Sequence, residues 1–176
     1  MKKTILTFGL LSGAVSALMM SVSMVFADRI GIDRGYIVGY TTIVLSCLFI
    51  YFGVRSYRDN VSDGAITFAR ALGVGLAIGV ISCLCYVVTW EIIYFNFMPD
   101  FLDKFDAHEI AKLKASGASA AALQHQIEEQ NKMKVLYANP LFNAAMTFIE
   151  PFPVALLVAI ISAALLRKKT ALQVAV

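Results

Sequence analysis

Two carboxylates stand inside long apolar segments of this 176-residue chain, Glu91 and Glu150. A charged side chain at the centre of a bilayer costs about 2.5–3.5 kcal/mol on insertion scales, so an acid within a spanning segment is by default a functional hypothesis. The chemistry open to such a group is proton exchange or the binding of a small solute or ion. We expect both acids at a similar depth, where they could share one pocket.

Glu150 stands beside two prolines in the stretch TFIEPFPV. Pro151 and Pro153 donate no backbone hydrogen bond, so the carbonyls of Thr147 and Ile149 lose their usual helical partners. Free carbonyls in lipid must be satisfied by side chains, water or other backbone, so this stretch should face protein or a wet cavity. Two interpretations stay open: a structural polar anchor, which Glu150→Gln would leave intact, or a binding or proton site.

A polar pocket near one end of the bundle would collect side chains from three segments. At 100° per residue, Asn143, Thr147 and Glu150 share one side of the last apolar segment. Tyrosines at segment ends are also typical of the aromatic belt at a membrane interface, which is the competing interpretation. The candidate pocket residues are Tyr40, Glu91, Tyr94, Asn143, Thr147 and Glu150.

No recognisable catalytic motif accompanies these carboxylates. The sequence contains no GxSxG, HExxH, Walker-type or Rossmann pattern, and neither histidine lies in an apolar segment. The three cysteines lack the spacing of a metal site. We therefore predict no metal and no cofactor, and we disfavour an enzyme without excluding one.

The elements that must position these residues are long helices. The chain is 59% hydrophobic with a mean hydropathy of +0.74, above the usual apolar share of a soluble protein. Each continuous apolar run approaches or exceeds the roughly 20 residues that a spanning helix needs, and a β-barrel would need alternating segments instead. We predict an all-α, single-domain membrane protein over residues 1–176, with four spanning helices at about 4–27, 36–54, 71–97 and 141–166, and an extramembrane helical hairpin at 98–140.

Basic residues set the expected topology. Eight of them flank the apolar runs on one side, while Arg29 and Arg34 lie on the other between the first two runs, and this pattern predicts cytoplasmic termini in an inner-membrane, multi-pass protein. This pattern explains the net charge of +3 without nucleic acid as a partner. Arg55, Arg58 and Arg70 are candidates for binding lipid head groups, against the simpler role of setting topology. The first apolar run exceeds the usual length of a signal peptide's apolar region, so we expect it to be retained. The flanking residues are Lys2, Lys3, Arg55, Arg58, Arg70, Arg167, Lys168 and Lys169.

Small residues recur at steps of four in three of the apolar runs. Such ridges let the backbones of neighbouring helices approach closely, so they predict helix packing. They do not indicate whether the neighbour belongs to this chain, to a second copy or to another membrane protein. The predicted packing residues are Gly9, Gly13, Gly75, Gly79, Ala155 and Ala159.

The chain resembles a known family. The segments GYTTIVLSCLFIYFGVRSYRDN, ITFARALGVG and CYVVTWEIIYFNFMPDF are similar to a bacterial membrane-protein family known only as domain of unknown function 4199. The resemblance extends from residue 3 to about residue 168. It implies a four-helix membrane protein and brings no activity, ligand or catalytic residue.

Three classes of function remain open on this basis. A scaffold or interaction protein of the cytoplasmic membrane is the first expectation, because packing ridges are abundant. The bilayer, and a membrane-protein partner or a second copy, would be its partners. The alternative is a small-solute, ion or proton carrier that uses Glu91 and Glu150, and a membrane-embedded enzyme comes last. A water-accessible cavity that reaches either acid would favour the carrier over the scaffold.

Overall fold

Helices are the only extended secondary structure in the part of the chain that the structure describes. A computed structural model describes residues 2–168, and in this part there is no strand, only one isolated bridge between Ile66 and Lys168. Lys169 lies outside the described residues. The elements are α1 (Lys2–Val25), α2 (Ala27–Ile30), α3 (Ile32–Val61), α4 (Phe68–Asn96), α5 (Phe101–Ala115), α6 (Ala120–Tyr137), α7 (Pro140–Ile149) and α8 (Phe152–Leu166).

Four helical stretches are long and apolar enough to cross a membrane: α1, α3, α4, and α7 together with α8. The predicted all-α class with four candidate spans is therefore confirmed. The second span is longer than the apolar run 36–54 because polar residues extend α3 at both ends, from Ile32 to Val61. The other spans begin and end within a few residues of the predicted bounds.

Helix α4 is the centre of the bundle and packs against α1, α3 and α8. Its glycines allow the close approach to α8: a Cβ at Gly75 would lie 3.1 Å from the Ala159 Cβ, and one at Gly79 would lie 3.2 Å from the Ala155 Cβ. These distances are shorter than the optimal carbon contact of about 3.5–4.0 Å. The two small-residue ridges therefore meet each other within one chain.

The contact between α1 and α4 is built in the same way. A Cβ at Gly9 would lie 2.8 Å from the Ile81 Cβ. One turn further along α1, a Cβ at Gly13 would lie 2.5 Å from the Cys85 Cβ. Any larger residue at either position would force the two helices apart, so both glycines are required for this packing.

Serines connect the helices in the middle of the bundle. The Ser12 hydroxyl donates to the Ser46 carbonyl at 2.7 Å and lies 2.7 Å from the Ser82 hydroxyl. All three residues are buried. Interhelical hydrogen bonds of this kind contribute to association where the surroundings supply no water. They tie α1, α3 and α4 together at one level.

The last span is interrupted where the prolines predict it. Helix α7 ends at Ile149 and α8 begins at Phe152, with a turn at Glu150 and Pro151. The helical pattern resumes when the Ala155 amide donates to the Pro151 carbonyl at 3.0 Å. The interruption places the Glu150 side chain at the junction of two helical segments.

Helices α5 and α6 form a pair joined by a short turn. Lys134 on α6 lies 2.7 Å from the Asp103 carboxylate and 3.2 Å from that of Asp106, both on α5. Hydrogen bonding to Asp103 holds the pKa of Lys134 above its ordinary value. Asp33 at the start of α3 contacts α5, at 3.2 Å from Lys112 and 3.3 Å from His108. The α5–α6 pair thus covers the end of the bundle opposite the described chain ends.

The three arginines at the other end have partners within the chain. Arg55 and Arg58 both contact Asp59, with nitrogen–oxygen distances of 3.7 and 2.6 Å. The Arg70 guanidinium lies over the Tyr57 ring, 5.9 Å from its centroid. Lipid head-group binding by these residues stays a prediction.

Candidate binding cavity

A cavity of about 1030 Å³ opens between the helices below the α5–α6 pair. Its walls come from the end of α1, the first half of α3, the second half of α4 and the α7–α8 junction. It exists because α3 packs along α8 but not along α7, so the two diverge toward the α5–α6 end. Gly35 and Gly39 of α3 line the opening, and a Cβ at either would meet nothing within 4 Å.

Glu150 lines this cavity and is held by one hydrogen bond. The Tyr86 hydroxyl on α4 donates to Glu150 Oε2 at 3.0 Å. Tyr86 is itself only 9% exposed, whereas Glu150 is an exposed residue that contributes to the lining of the cavity. Among residues 2–168, no basic side chain forms an ion pair with Glu150. The Glu150 carboxylate can therefore accept a hydrogen bond from a bound molecule or form an ion pair with a positively charged one.

Asn143 connects α7 to α4 just beside the cavity. Its side-chain oxygen accepts from the Trp90 indole at 3.0 Å and from the Thr147 hydroxyl at 3.2 Å. Asn143 has no exposed surface, and its amide donates to the Tyr137 carbonyl at 3.5 Å. Trp90 and Thr147 line the cavity, so this network positions two of its wall residues.

Tyr40 lines the cavity from α3 and is 51% exposed. Tyr94 is buried against Trp90, with ring centroids 5.7 Å apart, and does not line the cavity. Of the six candidate pocket residues, the structure thus brings Tyr40, Thr147 and Glu150 to one cavity and places Asn143 behind its wall.

Glu91 stands apart from Glu150. The partner of Glu150 is Tyr86, five residues before Glu91 on α4, which corresponds to about 7.5 Å at 1.5 Å per residue. Glu91 does not line the cavity, and its Oε1 is buried without a hydrogen-bond partner in the described part of the chain. This arrangement differs from the expected common depth, because Glu150 follows the whole of α7, Pro140–Ile149, whereas Glu91 lies close to the end of α4 at Asn96.

The α5–α6 pair supplies the roof of the cavity and most of its charge. Asp106, Glu109 and Glu129 line it from above, together with Lys134. Lys134 is already engaged by Asp103 and Asp106, and Glu129 by Lys132 at 2.7 Å. Glu109 has no such ion pair within residues 2–168. The roof therefore presents an unbalanced carboxylate to the space below it.

Aromatic rings attach the roof to the bundle. The rings of Trp90 and Phe101 meet edge to face with centroids 5.1 Å apart, and those of Tyr36 and Phe105 do so at 6.0 Å. Such pairs contribute about 0.5–1.5 kcal/mol each beyond the area they bury. All four residues line the cavity, so its upper wall is largely aromatic.

Most wall residues were not among the candidate pocket residues, and three of them, Tyr86, Trp90 and Thr42, carry polar groups within the candidate spans. Tyr86 lies near the middle of its apolar run, where a phenol needs a partner, and this position was the available signal. Trp90 fits the membrane-belt interpretation equally well from sequence. Thr42 is 2% exposed, lines the cavity, and has a hydroxyl without a hydrogen-bond partner in the described residues.

Comparison with known proteins gives one match. The family model described as "Protein of unknown function (DUF4199)" matches residues 7–168, which is most of the chain. No curated protein and no solved structure matches the chain. The residues that form the cavity all lie within the matched range. Across residues 2–168, no group of three His, Cys, Asp or Glu side chains is arranged to hold a metal ion.

Proposed function

The chain belongs to this family, whose function is unknown, and we propose that it is a membrane protein that binds a small solute in the cavity at Glu150. Binding sites are concave, mostly apolar, and carry a few polar groups that orient the ligand. The cavity has this composition, with Glu150, Tyr86 and Tyr40 set among apolar side chains. The observation that carries the proposal is the position of Glu150 in the lining of this cavity, where its side chain has one hydrogen bond, from Tyr86, and no ion pair within residues 2–168.

A solute site favours the carrier alternative over the scaffold. A carrier must bind its solute before it can transport it. Transport would also need the opposite half of the bundle to open, where Gly75 and Gly79 contact Ala159 and Ala155. The ridges that suggested a scaffold are used for packing within the chain, so they offer no free surface for a partner. Association with a second copy or another membrane protein stays a prediction.

The proposed orientation places the α5–α6 pair outside the cytoplasmic membrane and both termini inside. The support is the basic residues at the end away from α5 and α6, since positive charge concentrates on the cytoplasmic side. The cavity then lies in the outer half of the bilayer. A solute could reach it from the outer side around the α5–α6 pair or sideways between α3 and α7.

The experiment uses Trp90, the only tryptophan of the chain, which lines the cavity. Purified protein in detergent micelles is titrated with adamantanol, a bulky neutral solute, while Trp90 emission is recorded. We expect a saturable change in the native protein that Gly39→Phe abolishes, because the phenyl group would fill open cavity space. The matched control is Gly73→Phe on α4, where a Cβ also meets nothing within 4 Å but which does not line the cavity.

The control separates binding from partition of the solute into the micelle. Partition would change the emission of both variants alike and without saturation. Saturable binding that survives Gly39→Phe, or no saturable binding of any solute of this shape, would contradict the proposal.

A further inference from the structure

We infer that the solute is a lipophilic organic cation, an amine or quaternary ammonium with a bulky apolar body. This inference rests on the proposed function and specifies the ligand of the same site. Three features of the cavity support it: the balance of charge along its lining, the position of the Glu150 carboxylate, and the aromatic rings of its upper wall.

The lining carries more acids than bases. Four carboxylates contribute to it, those of Asp106, Glu109, Glu129 and Glu150, and within residues 2–168 the single basic contributor is Lys134. Clefts with low-dielectric walls and one sign of charge concentrate ligands of the opposite sign. An anionic solute would meet repulsion at both the roof and the floor, so the lining selects against it.

Glu150 is the acid that a cation would compensate most directly. It has one hydrogen bond, from Tyr86, and no basic partner in the described chain. An uncompensated charge among apolar side chains is unfavourable, and pairing with an opposite charge relieves it. The other carboxylate oxygen of Glu150, Oε1, has no hydrogen bond within the described chain and is available for an ammonium donor.

The aromatic wall suits the same ligand. Tyr36, Tyr40, Trp90, Phe101 and Phe105 all contribute rings to the lining. A cation over an aromatic face gains about 0.5–1 kcal/mol at an exposed site and about 2 kcal/mol when desolvated. A neutral polar solute would gain neither this contribution nor the pairing with Glu150. A metal ion would lack the apolar body that fills a space of about 1030 Å³.

The test compares three solutes that share one cage and differ in charge: adamantylamine, adamantanol and adamantane carboxylate. Each is titrated against Trp90 emission in micelles at neutral pH, where the amine is cationic. We expect the amine to bind at least about tenfold more tightly than the alcohol, and the carboxylate not to bind saturably. Glu150→Gln should remove this preference, so that the amine and adamantanol bind the variant with similar affinities.

A second variant protects the test against misfolding of the first. Glu109 lies in the roof, outside the bundle core, and Glu109→Gln should weaken amine binding about two- to threefold and so reduce the preference for the amine over the alcohol. Equal affinities for amine and alcohol in the native protein would overturn the cation inference and leave the proposed function standing. The cation inference would also be overturned if Glu150→Gln folded, as judged by ligand-free emission, and still bound the amine more tightly than the alcohol. Failure of all three solutes to bind would overturn the proposed function itself.

Discussion

Replacing Gly79 by leucine should destabilise the bundle, and replacing Gly73 should not. Both glycines lie within α4, so both substitutions gain helix propensity, about 0.8–1 kcal/mol for removing a glycine. They differ in surroundings. A Cβ at Gly79 would already lie 3.2 Å from the Ala155 Cβ and 3.4 Å from the Ile50 Cδ1, whereas one at Gly73 would meet nothing within 4 Å.

The size of the effect follows from these distances. The Cβ alone requires Ala155 to move by roughly 0.3–0.8 Å to reach an ordinary carbon contact. The remaining three carbons of leucine need space that α8 occupies, and overpacking of this kind costs about 1–3 kcal/mol. Because the propensity gain is common to both variants, the full 1–3 kcal/mol should appear as the difference in unfolding free energy between them.

The assay is equilibrium unfolding of the two variants and the native protein in the same mixed micelles, followed by helical circular dichroism. We expect the order of stability to be Gly73→Leu, then native, then Gly79→Leu. If Gly79→Leu were as stable as Gly73→Leu, α4 and α8 could not be in the close contact described for them.

Three further outcomes follow from the same structure. For the proposed topology, a cysteine at Ser116 should react with an impermeant thiol reagent in cells whose outer barrier is removed and one at Ser62 should not; the reverse labelling would invert the orientation. Asn143→Leu should lower the unfolding free energy by about 1–3 kcal/mol, because it leaves the half-buried Trp90 indole and the buried Thr147 hydroxyl without their acceptor; unchanged stability would show that these bonds contribute nothing. Since hydrogen bonding to Asp103 raises the pKa of Lys134, the link between α5 and α6 should hold at neutral pH and be lost as the pH rises above roughly 10.5. A spin label at Ser116 should then become more mobile at that pH, and equal mobility on both sides of it would contradict the link.

The spans could be predicted from sequence because their signals are local. Each apolar run specifies a helix by its length, and the steps of four at Gly75 and Gly79 specify a face that permits close approach. The interruption at Glu150 and Pro151 follows from the missing backbone donor of proline. None of these inferences needs to know which helix is the neighbour.

The cavity could not be predicted in the same way, because it depends on how helices far apart in the chain diverge. Tyr86 and Glu150 are 64 residues apart, and no local pattern relates them. The expectation that Glu91 and Glu150 lie at one depth does not hold, because Glu150 follows the whole of α7 whereas Glu91 lies close to the end of α4. The open space beside Gly35 and Gly39 likewise arises from the separation of α3 and α7, which the ridge pattern on either helix does not encode.

Photoaffinity labelling tests the central claim most directly, since it locates the bound solute. Native protein in micelles is irradiated with an adamantylamine that carries a diazirine, with and without excess unmodified adamantylamine, and the labelled residues are identified by mass spectrometry. The account predicts competed labelling of wall residues on three helices, such as Tyr40, Trp90 and Met146. Labelling confined to exposed residues away from the cavity, such as Leu18 and Leu157, and insensitive to competitor would contradict it.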